Sequence, residues 1–261
     1  MMKIGSFVAA LLACVSSVAS AQRSTPVQVL HPAAAAGDQF ARAVAISGDT
    51  MLVGVPSDDI GAFTDQGSVQ VYRWTGSGWT WEASLVASDG AIGDGFGYAV
   101  AISGDTVIVG AYLDDVGANP EQGSAYVFVR SGTTWTQQAK LTASDGASID
   151  LFGQSVAIFG DTVIIGAFAD EINGVPSQGS AYVFNRSGTA WTQQAKLTAS
   201  DGASADYFGW TVELFGDYAI VGAPNDDVGA NADQGSAYVF ARSGAAWTQQ
   251  SKITSTDGAA G

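Results

Sequence analysis

The chain is 261 residues long, 47% hydrophobic and 13% charged, with 33 glycines, a single cysteine and a formal net charge of −15 at pH 7. So acidic a chain is excluded as a nucleic-acid-binding protein and set against anionic membrane surfaces, because phosphate-rich partners are repelled. Few charges and many glycines point to turn-rich β-structure rather than disorder, and one cysteine cannot build a disulfide framework.

The chain opens with MMKIGSFVAALLACVSSVASAQ. One lysine, an apolar run and then Ala19-Ser20-Ala21 read as a secretory signal peptide over 1–21, cleaved before Gln22. Leu11-Leu12-Ala13-Cys14 supplies an alternative, since it resembles a bacterial lipoprotein box that would leave Cys14 lipid-anchored. No segment approaches the ~20 uninterrupted apolar residues of a membrane span. The expected protein is therefore exported, secreted or periplasmic, with no membrane span. In the lead-in segment 22–39, Val27 to Leu30 align with Ala83 to Val86, which predicts an isolated outer strand ahead of the first complete unit.

From Phe40 the chain repeats with a constant step of 56 residues, over 40–95, 96–151, 152–207 and 208–261. Phe40, Phe96, Phe152 and Phe208 correspond, as do Asp49, Asp105, Asp161 and Asp217, and Trp79, Trp135, Trp191 and Trp247. Such a period marks units that cannot bury their own apolar faces and must stack. Within the third copy four strands are predicted. QSVAIF places Val156 and Ile158 on one face, and TVIIGA follows a Gly160-Asp161 hairpin turn. SAYVFNR puts Tyr182 and Phe184 on one side, and a Ser187-Gly188 turn leads to AWTQQAKLTA. Gly54, Gly110, Gly166 and Gly222 recur inside the second strand, where glycine marks a bulge or close backbone approach. No helical period occurs, so the fold class is all-β. Four antiparallel strands per repeat fit a β-propeller blade, with a long-rung β-solenoid as the alternative.

Phe96-Gly97, Phe152-Gly153 and Phe208-Gly209 at the start of the first strand, with Gly222-Ala223-Pro224 at the end of the second, resemble the FG-GAP repeat of integrin alpha-subunit propellers. QGSAYVF and SGTAWTQQAKLTASDGA are more similar to the bacterial extracellular variety of that repeat. The first copy departs with Phe40-Ala41, and other second strands end in Gly54-Val55-Pro56, Gly110-Ala111-Tyr112 and Gly166-Ala167-Phe168. The resemblance implies one blade per repeat and, as in integrins, ligand recognition at one propeller face. The final TSTDGAAG reads as the loop into a further repeat, so an incomplete ring is expected. If the family's usual seven blades apply, about three repeats are missing.

In a four-stranded meander, the second-to-third loops and the loops between repeats emerge on one face, and the remaining turns on the other. Most acidic residues fall in the first set. Candidate metal ligands are Asp89, Asp94, Asp114, Asp115, Asp145, Asp150, Asp201, Asp206, Asp226, Asp227 and Asp233. Ca²⁺ would suit them, since it takes six to eight oxygen ligands. The alternative is that these aspartates cap turns through their own backbone. The D-x-D-x-D-G loop of integrin-like sites is missing, and Ser177 stands where Asp65, Glu121 and Asp233 stand. Candidate partner contacts on the same face are Tyr112, Phe168, Asp58 and Asp59.

Catalysis in a repeat protein calls for copies that diverge into a convergent acid, base or nucleophile. His31, Glu82, Trp210 and Glu213 break the pattern singly, Glu213 standing where Ala45, Ala101 and Ala157 stand. Trp135, Trp191, Trp247, Tyr126, Tyr182 and Tyr238 recur identically and read as inter-blade core. The expectation is a non-catalytic binding or adhesion scaffold for an extracellular protein or glycan, with Ca²⁺ as a candidate aid. A polysaccharide-active propeller enzyme or a lectin is the alternative.

Overall fold

The computed structural model describes residues 35–256, and its strands form four antiparallel sheets. The first holds β1 (Val44–Ser47), β2 (Thr50–Val55), β3 (Ser68–Trp74) and β4 (Trp79–Leu85); the second holds β5 (Ala99–Ser103), β6 (Thr106–Ala111), β7 (Ser124–Ser131) and β8 (Thr134–Leu141). The third holds β9 (Ser155–Phe159), β10 (Thr162–Ala167), β11 (Ser180–Ser187) and β12 (Ala190–Leu197); the fourth holds β13 (Thr211–Phe215), β14 (Tyr218–Ala223), β15 (Ser236–Ser243) and β16 (Ala246–Ile253). Within each sheet the strands lie side by side in chain order. The signal-peptide and lipoprotein readings, the strand expected at Val27 to Leu30, and His31 lie outside the described residues.

The first turn of each sheet is tight because Gly48, Gly104, Gly160 and Gly216 adopt positive φ of 57–59°. The third and fourth strands pair with a bulge at one recurring point, Val71/Tyr72, Val127/Phe128, Val183/Phe184 and Val239/Phe240. Every residue of β6 and β10 is buried. A sheet covered on both faces needs such continuous apolar strands. The covering comes from the neighbouring sheets.

Leu52, Val69, Val71 and Leu85 pack against Phe96, Val107, Val109, Tyr126 and Phe128 of the next sheet. The same construction recurs around Phe152 and Phe208. Each of these three phenylalanines is fully buried and meets a tyrosine edge-on, as Phe152 meets Tyr182 at 5.4 Å between centroids. Backbone bonds fasten the same points: Phe96, Phe152 and Phe208 donate their N–H groups to Gln66, Gln122 and Gln178 of the preceding sheet. The molecule is thus four β-propeller blades in series. Their inner strands β1, β5, β9 and β13 neighbour one another, and among the described residues no comparable packing joins the fourth blade to the first.

The end blades show what the interior junctions hide. Ile253 is 54% exposed where Leu197 is 3% exposed, and Val44 and Ile46 of the first blade are likewise open. Phe40 is exposed as well. Gly97, Gly153 and Gly209 need to be glycine because a Cβ would stand 2.2–2.4 Å from Ser68, Ser124 or Ser180 carbonyl oxygens of the preceding blade. Ala41 keeps the left-handed backbone, φ 68°, with its methyl group in place.

Candidate binding face

Two kinds of loop build the acidic face. The loop between the second and third strands of each blade is closed by a small bridge, Ile60 to Phe63 in the first blade and Val116 to Asn119 in the second. Asp59, Asp115 and Asp227 hold it by accepting the N–H groups of Asp65, Glu121 and Asp233 at 2.8–3.0 Å. The donors Asp65, Glu121 and Asp233, and Ser177 at the equivalent place, have positive φ of 49–52°. In the loop that joins blades, Asp94, Asp150 and Asp206 each accept the N–H of the residue three positions earlier, Ala91, Ala147 and Ala203, at 2.6 Å. These are turn-forming roles.

The remaining candidates form a charge network. Lys140 joins Asp89 at 2.8 Å to Asp114 at 2.7 Å, Lys196 joins Asp145 to Asp170 at 2.7 and 2.8 Å, and Lys252 joins Asp201 to Asp226 at 2.7 Å each. The Tyr182 hydroxyl sits between Asp145 and Asp170, within hydrogen-bond reach of both for its single proton, and Tyr238 sits likewise between Asp201 and Asp226. Each lysine also lies 5.2–5.3 Å from the centroid of its tyrosine ring. Burial would lower the lysine pKa values, but the two carboxylates outweigh it and raise them. Burial alone would raise Asp89, Asp145 and Asp201; hydrogen bonds from lysine and tyrosine hold them below the usual carboxylate range. Asp94, Asp150 and Asp206 go the other way. Their burial dominates, and Asp150, beside the Asp170 charge, is pushed up to about 6.

The carboxylates expected around a cation are therefore divided between backbone turns and lysine-centred pairs. Among the described residues no group of three or more His, Cys, Asp or Glu side chains is placed to hold a metal ion. The first blade shows the network by its absence. Gln70 stands where Tyr126 stands, Ser84 where Lys140 stands, and the sequence has Ala33 where it later has Asp89. Gln70 there donates to Ser68 and Ser84 and accepts from Trp81. This joint replacement was readable from the aligned copies and marks the tyrosine, lysine and aspartate as one unit.

The expected contact residues separate. Asp59 is exposed, whereas Asp58 is buried and accepts the Ser68 hydroxyl at 2.5 Å. Tyr112 and Phe168 are half-buried. Tyr112 stacks on Tyr98 at 4.1 Å, with the Arg42 guanidinium 4.0 Å over the Tyr98 ring. A hollow of about 280 Å³ lies beside them, lined by Gln39, Asp65 and both tyrosines among others. Phe168 meets Trp210 at 4.6 Å and Tyr207 at 5.5 Å. Two further hollows of about 390 and 400 Å³ flank Lys140 and Lys196. Glu213 is exposed and accepts the Leu214 N–H at 3.2 Å, and Glu82 accepts the Trp135 indole N–H at 2.9 Å.

The opposite face is paired off. Arg73, Arg130, Arg186 and Arg242 bridge Asp49, Asp105, Asp161 and Asp217. Uncompensated negative charge thus gathers on the loop face at Asp59, Asp65, Asp115, Glu121, Glu171, Asp227 and Asp233, all exposed.

The FG-GAP repeat model matches residues 29–72, 79–128, 135–184 and 191–240. The chain belongs to the FG-GAP repeat family. The matched segments account for most of the sequence, and the last three each run from the outer strand of one blade into the third strand of the next. No curated protein matches the chain. Among solved structures, the crystal structure of the N-terminal domain of Nup159 aligns with 9% identity and a TM-score of 0.43, over 82% of this chain and 47% of that one. The chain thus spans about half the length of that structure. Among the described residues of this FG-GAP protein, no helix is long and apolar enough to cross a membrane.

Proposed function

We propose that this FG-GAP protein is an exported, non-catalytic binding or adhesion scaffold that meets an extracellular protein or glycan with its loop face. One observation carries the reading: the copies diverge on that face. Packing positions repeat because each junction repeats, whereas a ligand without the repeat's symmetry is met by unlike residues at equivalent places. Arg42, Tyr98, Gln154 and Trp210 are equivalent, as are Pro56, Tyr112, Phe168 and Pro224, and Gln39, Gly95, Leu151 and Tyr207. The opposite face keeps its arginine–aspartate pairs in all four blades.

The test presents the immobilised protein to extracellular proteins and glycans of its source cells and compares two variants. Tyr112→Ala with Phe168→Ala alters the diverging face, and Asp105→Asn with Asp161→Asn alters the repeating face. Loss of a ligand only in the first supports the scaffold; equal retention in both, or turnover of the ligand, overturns it.

A further inference from the structure

Resting on the scaffold reading, we propose that the Phe168, Tyr207 and Trp210 cluster receives a lysine or arginine side chain from a basic, extended segment of a partner protein. The three rings lie within 4.6–5.9 Å of one another, where the third blade meets the fourth. Trp210 remains 39% exposed, so part of its ring system faces solvent.

The molecule's own cations show how its aromatic rings are used. Arg42, Arg130, Lys140, Arg186, Lys196, Arg242 and Lys252 each lie over a tyrosine or tryptophan ring at 4.0–5.7 Å. The other described cation, Arg73, is bound to Asp49. None of these described cations lies over Trp210. Indole is the ring that attracts a cation most strongly. At the equivalent place two blades earlier, Tyr98 carries the Arg42 guanidinium from within the chain.

Charge selects the occupant. The strand end at Phe168 leads into the loop of Asp170 and Glu171, and Pro224, at the equivalent place in the fourth blade, leads into Asp226 and Asp227. Asp170 and Asp226 share Lys196 and Lys252 with Asp145 and Asp201, so each lysine leaves one negative charge unanswered, and Glu171 and Asp227 are exposed. A neutral sugar could stack on Trp210 but would leave that field unanswered; a basic segment answers both.

The probe is a fluorescently labelled decapeptide of alternating lysine and glycine, read by anisotropy against the intact protein. Its controls are the same peptide with every lysine acetylated, and unlabelled cellohexaose as competitor. The expected result is binding that weakens about tenfold in Trp210→Ala, recovers in part in Trp210→Phe, and is lost on acetylation. Glu171→Gln should weaken it and flatten its salt dependence. Thermal unfolding of each variant guards against misfolding. Lysine-peptide affinity within twofold of wild type in Trp210→Ala, or undiminished by acetylation, overturns the proposal. If instead cellohexaose binds directly and loses affinity in Trp210→Ala, the cation is refuted while the scaffold reading stands; a face inert to peptide and sugar counts against both.

Discussion

A methyl group placed on Gly110 would stand 1.8 Å from the carbonyl oxygen of Gly153 in the next blade. The same approach brings Gly97 to Gly54 and Gly209 to Gly166, each within 2.0 Å of where a Cβ would lie. Two family-defining glycines, the one after phenylalanine and the one in the second strand, are thus two sides of a single backbone contact between blades. Gly110→Ala must push the backbone of the next blade away, with an expected cost of at least about 3 kcal/mol. Gly222 offers an internal comparison, since a Cβ there meets only the Thr211 side-chain oxygen at 2.5 Å. Urea unfolding should show a large loss for Gly110→Ala and a small one for Gly222→Ala. Equal losses would place the cost within the strand rather than at the junction.

Lys196 supplies the positive charge that the buried Asp170 requires. Lys196→Met removes it, and breaking one side of a buried pair costs about 3 kcal/mol. Asp170→Asn in the same chain removes the orphaned charge, while Tyr182 and Ser180 still have an oxygen to approach. The double variant should therefore be more stable than Lys196→Met alone, a non-additivity expected of groups in one network. Additive losses in denaturant unfolding would show that the pair acts independently.

The Asp150 carboxyl titrates near 6, above its value in an unfolded chain, because burial and the neighbouring Asp170 charge outweigh the Ala147 N–H. The folded state then holds this proton more tightly than the unfolded state does. Its contribution to stability is complete below the ordinary carboxylate range and is lost as pH rises through about 6. Asp150→Asn keeps an acceptor for Ala147 and removes the charge. It should raise the melting temperature at pH 7.5 and leave it unchanged near pH 3.5. Asp145 carries the opposite sign, since its pKa is held low. Asp145→Asn should thus destabilise at pH 7.5, with the effect fading as pH falls through the carboxylate range.

These local roles also show what the sequence discloses and what it conceals. The strands of the third copy fall within a residue or two of the runs read from alternation, and Thr162–Ala167 coincides with its run. Tyr126, Tyr182 and Tyr238 are inter-blade core as their identical recurrence implied. The indoles of Trp135, Trp191 and Trp247 pack against the same inter-blade clusters but stay half-buried, each donating its N–H to Glu82, Gln138 or Gln194 of the preceding blade. No single copy discloses the lysine pairs, because Lys196 and Asp145 are 51 residues apart in sequence; only comparison between copies, where tyrosine, lysine and aspartate are replaced together in the first, points to them. Only the pitch between blades brings them together, and that pitch is a property of stacked sheets rather than of any one copy. Carboxylate counting could not separate Asp58, sealed under Ser68, from the exposed Asp59 beside it. Clustered acids in sequence look alike whether they bind an ion, a lysine or a turn.

Arg186 ties two blades on the face opposite the loops. Its Nη1 donates to Thr106 Oγ1 of the preceding blade at 3.0 Å, its Nη2 meets Asp161 at 2.5 Å, and its guanidinium lies 5.2 Å from the Trp191 ring centroid. The Asp161 side chain is 64% exposed while that of Arg186 is 19% exposed. Solvent therefore screens the ion pair, and most of the stabilisation resides in the contact between blades and the stacking. Asp161→Asn should cost under about 1 kcal/mol, as exposed pairs do. Arg186→Ala should cost roughly 2 kcal/mol, from a charged hydrogen bond and the lost packing of its stem. Arg186→Lys should fall between, because an ammonium cannot address Thr106 and Asp161 with the same planar fork. Chemical denaturation of the three variants decides the matter: a loss in Asp161→Asn as large as in Arg186→Ala would show that the ion pair, and not the tie between blades, is what the arginine provides.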